Sequence, residues 1–154
     1  MATKYQGTPA EKQTLDLFIK FMRAHDSLEN RTRRDFQNLD LTPAQFGILE
    51  TLCYLGPLKQ CELASKLLTT AGNITRLLDT LQKIEYIERL PEPGDRRSFR
   101  IHLTARGKKS VEKVFPVFLR SIQGSFNCLN TDEKKQLNQL LRKLGTHIKH
   151  SLNE

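Results

Sequence analysis

Residues Gln60–Leu81 read QCELASKLLTTAGNITRLLDTL, two short amphipathic segments with Thr69-Thr70 between them. In the first, over Gln60–Leu68, Leu63, Ala64 and Leu67 recur at helical spacing. In the second, from Ala71 to about Glu85, Ile74, Leu77, Leu78 and Leu81 do the same. Thr69-Thr70 makes the turn, and Thr70 suits the cap of the second helix. Two helices joined this way form a helix-turn-helix, in which the N-terminal residues of the second helix meet base edges in the major groove. Here they are Thr70, Ala71, Gly72, Asn73, Thr75 and Arg76. Asn73 can offer a bidentate pair to adenine, and Arg76 can reach guanine or a phosphate. Thr70 and the free amides of the first turn suit a phosphate oxygen. Gly72 costs about 1 kcal/mol against Ala inside a helix, and a backbone approaching DNA closely would justify it. The competing reading of Asn73 and Thr75 is that they are merely exposed polar positions.

Downstream, Ile87–Leu90 and Phe99–Leu103 read as two strands, the second with Phe99, Ile101 and Leu103 inward and Arg100 and His102 outward. PEPGDRRSFR, Pro91–Arg100, joins them. Pro91 and Pro93 stiffen this loop, and Gly94 can supply the positive φ of a tight turn. Asp95 can brace Arg97 so that it enters a narrow, electronegative minor groove, leaving Arg96 to phosphates. Helix, turn, helix and hairpin make a winged helix-turn-helix.

The flanks are long helices. Thr8-Pro9-Ala10-Glu11, Thr42-Pro43-Ala44-Gln45 and Asn130-Thr131-Asp132-Glu133 are capping-box starts. The first helix is expected from Pro9 to about Phe36, with Leu15, Phe18, Ile19 and Met22 on one face. The second runs from Pro43 to about Leu55, stopped by Gly56-Pro57. A helix capped by Thr104 carries Val111, Val114, Phe115, Phe118, Leu119 and Ile122, with Pro116 expected to kink it. The last carries Leu137, Leu140, Leu141, Leu144, Ile148 and Leu152. These stripes exceed what a small winged-helix core can cover, which predicts an obligate dimer. The fold class is mainly α with a small β-hairpin wing. Residues 1–40 and 108–154 are expected to supply dimerisation helices around a DNA-binding region, 41–107, in one structural domain.

The 154 residues carry a formal charge of +8, which favours a polyanionic partner without naming one. Between Arg96 and Arg120 stand eight basic residues against one acid, Glu112. No apolar run is long enough for a membrane span and no signal peptide opens the chain, so a cytoplasmic location is expected. Cys53, Cys61 and Cys128 fit neither a disulfide framework nor a zinc site. Cys53 and Cys61 read as structural, and Cys128, in a loop, as the more reactive thiol. No metal or cofactor is expected. Arg23, His25 and Asp26 could face a ligand cleft, but the dimer interface or solvent is the simpler explanation of them. No phosphate loop, nucleophile-and-base pair or paired acids point to an enzyme.

Leu41-Thr42 with Phe46 and Leu49, Glu62-Leu63-Ala64, Thr75-Arg76, Asp79 and Leu81, Asp95-Arg96-Arg97, and Leu103-Thr104 with Gly107 together resemble the MarR family of bacterial transcription regulators. The resemblance covers Leu41–Gly107. It implies a homodimer joined through its N- and C-terminal helices and bound to double-stranded DNA at a pseudo-palindromic operator. It also implies a small, often aromatic, effector held between the dimerisation and DNA-binding parts. By that carry-over Arg97 is the wing arginine and Thr70–Arg76 the recognition surface. The function expected is therefore a ligand-responsive regulator, most often a repressor. The alternative is an architectural or protein-binding winged helix without a specific operator, whose wing would expose apolar residues.

Overall fold

The computed structural model describes residues 5–92 and 95–151, with side chains described over 5–92 and 98–148. The chain begins with α1 (Pro9–Asp35) and α2 (Pro43–Leu55), followed by β1 (Leu58–Lys59) and α3 (Gln60–Lys66). Then come α4 (Ala71–Lys83), β2 (Ile87–Glu92), β3 (Asp95–Leu103), α5 (Ala105–Phe126) and α6 (Thr131–Ser151). All three capping boxes form. Thr8 and Thr42 accept from the amides of Glu11 and Gln45, whose side chains accept in return. Asn130 Oδ1 accepts from the amides of Asp132 and Glu133, and Glu133 accepts from the Asn130 amide. Two bonds to Thr8, the larger from its backbone amide, hold the Glu11 carboxyl below its ordinary range. Gly56 stops α2 with φ 77, a conformation that suits glycine.

The sheet is antiparallel in the order β1-β3-β2. The sequence pattern had not marked β1, because two residues are too few for alternation to register. Both hairpin strands run longer than their apolar cores, and pairing slips between Pro91, opposite Phe99, and Glu92, opposite Asp95. Ile101 is buried as expected, but Phe99 is 48% exposed. Phe99 lines an open cleft between the sheet and helices α3 and α4, which leaves much of its ring uncovered.

The core draws on α2 (Phe46, Ile48, Leu49, Leu52), α3 (Leu63), α4 (Ile74, Leu78, Leu81) and the sheet (Ile87, Ile101). It is closed by Phe36 after α1, Leu41, and Val111 and Val114 of α5. Phe36, Phe46 and Phe118 pack ring to ring, with centroids 5.1–6.3 Å apart. A Cβ at Gly107 would collide with the Tyr86 carbonyl, so glycine lets α5 start hard against the β2 root. Helix α5 continues through Pro116 to Phe126.

The long helices differ. Leu15, Leu17, Phe18, Phe21 and Met22 of α1, and Leu140, Leu141, Leu144 and Ile148 of α6, are exposed. Over residues 131–148 of α6 only Leu137 is even half-buried. No helix among the described residues is long and apolar enough to cross a membrane.

Candidate nucleic-acid interface

Thr70 has extended backbone (φ −76, ψ 155), and its hydroxyl accepts from the Asn73 amide at 3.3 Å. This leaves the other amides of the first turn of α4 without intrahelical acceptors. Ile74, Leu78 and Leu81 fasten the helix to the core, so the face bearing Gly72, Thr75, Arg76, Asp79, Thr80 and Lys83 is presented outward along an open groove. A Cβ at Gly72 would meet nothing within 4 Å. Nothing in the surrounding chain therefore calls for glycine there.

Two residues of this face are held by neighbours. The Thr75 hydroxyl donates to the Ala71 carbonyl at 2.8 Å and accepts from Gln60 Nε2 at 2.8 Å. Gln60 thus ties α3 to α4 across fifteen residues. Asn73 is half-buried; its Nδ2 donates to Thr69 Oγ1 at 2.8 Å and its Oδ1 accepts from Arg76 at 3.3 Å. Each bond uses one of the two donor hydrogens or one of the two lone pairs that the amide offers. As placed, Asn73 steadies the turn and orients the exposed Arg76.

The wing is anchored by arginines that the sequence pattern did not single out for this role. Arg89 of β2 donates to Asp79 and Gln82 of α4, each at 2.6 Å. Planar geometry with parallel donors suits arginine to such a double bridge. Arg100 of β3 donates to both Glu92 oxygens at 2.8–2.9 Å and to the Pro57 carbonyl at 3.2 Å. Hydrogen bonding to Glu92, and then its charge, raise the Arg100 pKa above its ordinary value. The side chains of Asp95, Arg96 and Arg97, and the expected turn at Gly94, lie outside the described residues.

Among the described residues, several cations of the basic run have acidic partners. Arg100 answers Glu92, while Arg106 answers Glu85 at 2.9 Å and lies over the Tyr86 ring. Lys113 stands 4.0 Å from Asp40. Nine strand residues of β3, on the order of 30 Å, separate the wing tip from the start of α5. Adjacent positions in sequence thus serve opposite ends of the wing.

The three thiols differ in exposure. Cys61 is exposed and lines a cleft of about 420 Å³ between α3, α4 and the wing, while Cys53 is half-buried. Cys128 is exposed, as expected for a loop. A second recess of about 420 Å³ lies between α1, the start of α2 and α5, lined by His25, Leu28, Thr32, Arg33, Thr42 and Ile122 among others. His25, Asp26 and Glu29 bring ligand atoms within 4.8 Å of one another on its exposed α1 side. Exposed groups one helical turn apart commonly do so without an ion.

The family model described as MarR family matches residues 41–99. Over 141 residues the chain is 34% identical to YkoM, an HTH-type transcriptional regulator of Bacillus subtilis, covering 92% of each protein. The chain belongs to the MarR family. MarR proteins regulate transcription by binding DNA; this chain is accordingly a regulator and not an enzyme. A mutant of MarR from E. coli, solved in complex with operator DNA, is 26% identical and superimposes with a TM-score of 0.79, over 89% of this chain and 99% of that one. BpsR of Bordetella bronchiseptica, 23% identical with a TM-score of 0.78 over 84% and 98%, shares the fold; its structure concerns regulation of DNA binding by 6-hydroxynicotinic acid.

Proposed function

We propose that this MarR-family chain is a ligand-responsive repressor that binds a pseudo-palindromic operator as a homodimer in the cytoplasm. In this reading residues 41–107 form the reading head, and 1–40 and 108–154 supply the dimer helices. Thr70, Ala71, Gly72, Thr75 and Arg76 face the major groove, with Asn73 behind them. Asp95, Arg96 and Arg97 form the wing tip, Arg97 entering the minor groove. The observation that carries the DNA face is Gly72, a destabilising residue in an outward helical turn with open space around it. Such a residue is explained by something that comes close from outside.

Dimerisation is supported by α6, which buries almost nothing in one chain although its apolar stripe runs from Leu137 to Ile148. Helices of this length draw most of their stability from packing. The effector is a small aromatic molecule in the recess at His25 and Thr42, where α1 meets the reading head. Filling that recess would shift one part against the other, and the ligand regulation of BpsR supports the idea by analogy of fold.

Gly72→Ala separates this reading from a purely structural role. It should raise stability by about 1 kcal/mol while weakening operator binding, read by thermal unfolding and by titration of labelled duplex. Unchanged or tighter binding would sink the assignment. A second reading, a protein-binding wing, is favoured by the exposure of Leu90 and Phe99. It predicts no preference for any selected DNA sequence over bulk DNA.

A further inference from the structure

Two helices of the reading head close in the same way. After α3, the Leu68 amide donates to Ser65 O at 3.4 Å and the Thr69 amide to Ala64 O at 3.0 Å, with Leu68 at φ 49. After α4, Glu85 donates to Gln82 O and Tyr86 to Leu81 O, both at 2.9 Å, with Glu85 at φ 61. This closure places a left-handed residue just past the helix, normally glycine, because a Cβ there crowds the following carbonyl.

The side chain at Glu85 is used within the chain: it pairs with Arg106 at 2.9 Å. Leu68 is different. It is 94% exposed, the most exposed large apolar side chain among the described residues. A strained backbone carrying a branched apolar group into solvent gains nothing inside this molecule, and such an outlier points to function. Leu68 immediately precedes Thr69 and Thr70, which brace Asn73 and cap α4. The other exposed large apolar residues lie ahead of or on α1 and on α2, α5, α6 and the wing, apart from this turn.

We infer that Leu68 is a DNA-contacting residue, packing its isobutyl group on deoxyribose, or on a thymine methyl, beside the phosphate held at the start of α4. This rests on the proposed DNA face and extends it from the helix into the turn. Such a contact excludes water from the neighbouring polar bonds and adds apolar burial without a charge.

The test uses the full-length protein with Leu68→Gly, Leu68→Asn and Leu68→Met, an operator duplex selected from random DNA, and Arg76→Ala as a reference. Glycine and asparagine both tolerate the left-handed backbone. The glycine variant should therefore melt higher than wild type, and the asparagine variant no lower. Both should nevertheless bind the duplex about tenfold more weakly, the scale of one lost base-pair contact. The slope of affinity against salt should not change, since no counterion is involved. Methionine should restore most of the binding. Wild-type affinity in the glycine and asparagine variants, with Arg76→Ala weakened, overturns the inference and leaves the DNA face standing. Wild-type affinity in all of them overturns both. A flatter salt slope, or a weakened dimer by sedimentation, would assign Leu68 to phosphate steering or to the second copy and also overturn it.

Discussion

In the reading head, polar side chains find partners on other elements: Gln60 on Thr75, Arg89 on Asp79 and Gln82, Arg100 on Glu92. Along α1 and α6, ion pairs such as Lys20 with Asp16 and Lys135 with Asp132 stay within one helix, and many apolar residues face outward. In the proposed reading the head meets DNA with a polar face, and the long helices are half of an interface. Under the proposed function, exposure means different things in the two regions: in the head it marks surface for DNA, and on α6 surface for another copy of the chain.

The largest effect should come from breaking the unfinished side. Leu144→Asp places a charge in the α6 stripe of each copy, and each copy also loses roughly 1.5–3 kcal/mol of apolar burial. Dimer dissociation should become at least about a hundredfold easier, with loss of helical signal at low concentration. Sedimentation and circular dichroism would check this, and a well-folded wild-type monomer at low micromolar concentration would contradict it.

A paired substitution sharpens the comparison at smaller scale. Arg89→Gln removes a bridge between β2 and α4 that is partly shielded from solvent. It should cost on the order of 1 kcal/mol and lower the ratio of operator to nonspecific binding. Lys20→Ala removes an exposed pair of the same length, 2.6 Å, on α1. Its cost should be under about 0.5 kcal/mol with no change in that ratio. Urea denaturation and competition binding measure both.

The smallest effect concerns Glu50 on α2, whose pKa burial raises above its ordinary value of 4.5. A raised folded-state pKa favours folding below the unfolded value, and that contribution is lost as pH rises through the folded one. Glu50→Gln should therefore melt slightly above wild type at neutral pH. The difference should shrink as pH falls through the range where both states protonate. Melting curves across pH would show it, and an unchanged or larger gap in acid would refute it.

The three capping boxes, the helix spans and the stripe on α6 were legible in the sequence because each is set within a few residues: a threonine or asparagine reaches three positions ahead, and an apolar face repeats with the helical turn. Tertiary structure alone decided who holds whom between elements. Arg89 reads as one more surface cation until β2 lies beside α4. Asn73 reads as one more open polar position until Thr69 and Arg76 are seen to bond its amide. Phe99 obeys strand alternation and is exposed all the same, because the side it faces is an open cleft over α3 and α4. Leu68 follows the inward Leu63, Ala64 and Leu67 with no role that periodicity assigns, until the closure of α3 turns its backbone left-handed and leaves it in water. Periodicity specifies which face a side chain takes on its own element. Whether anything waits on that side depends on how the elements are packed.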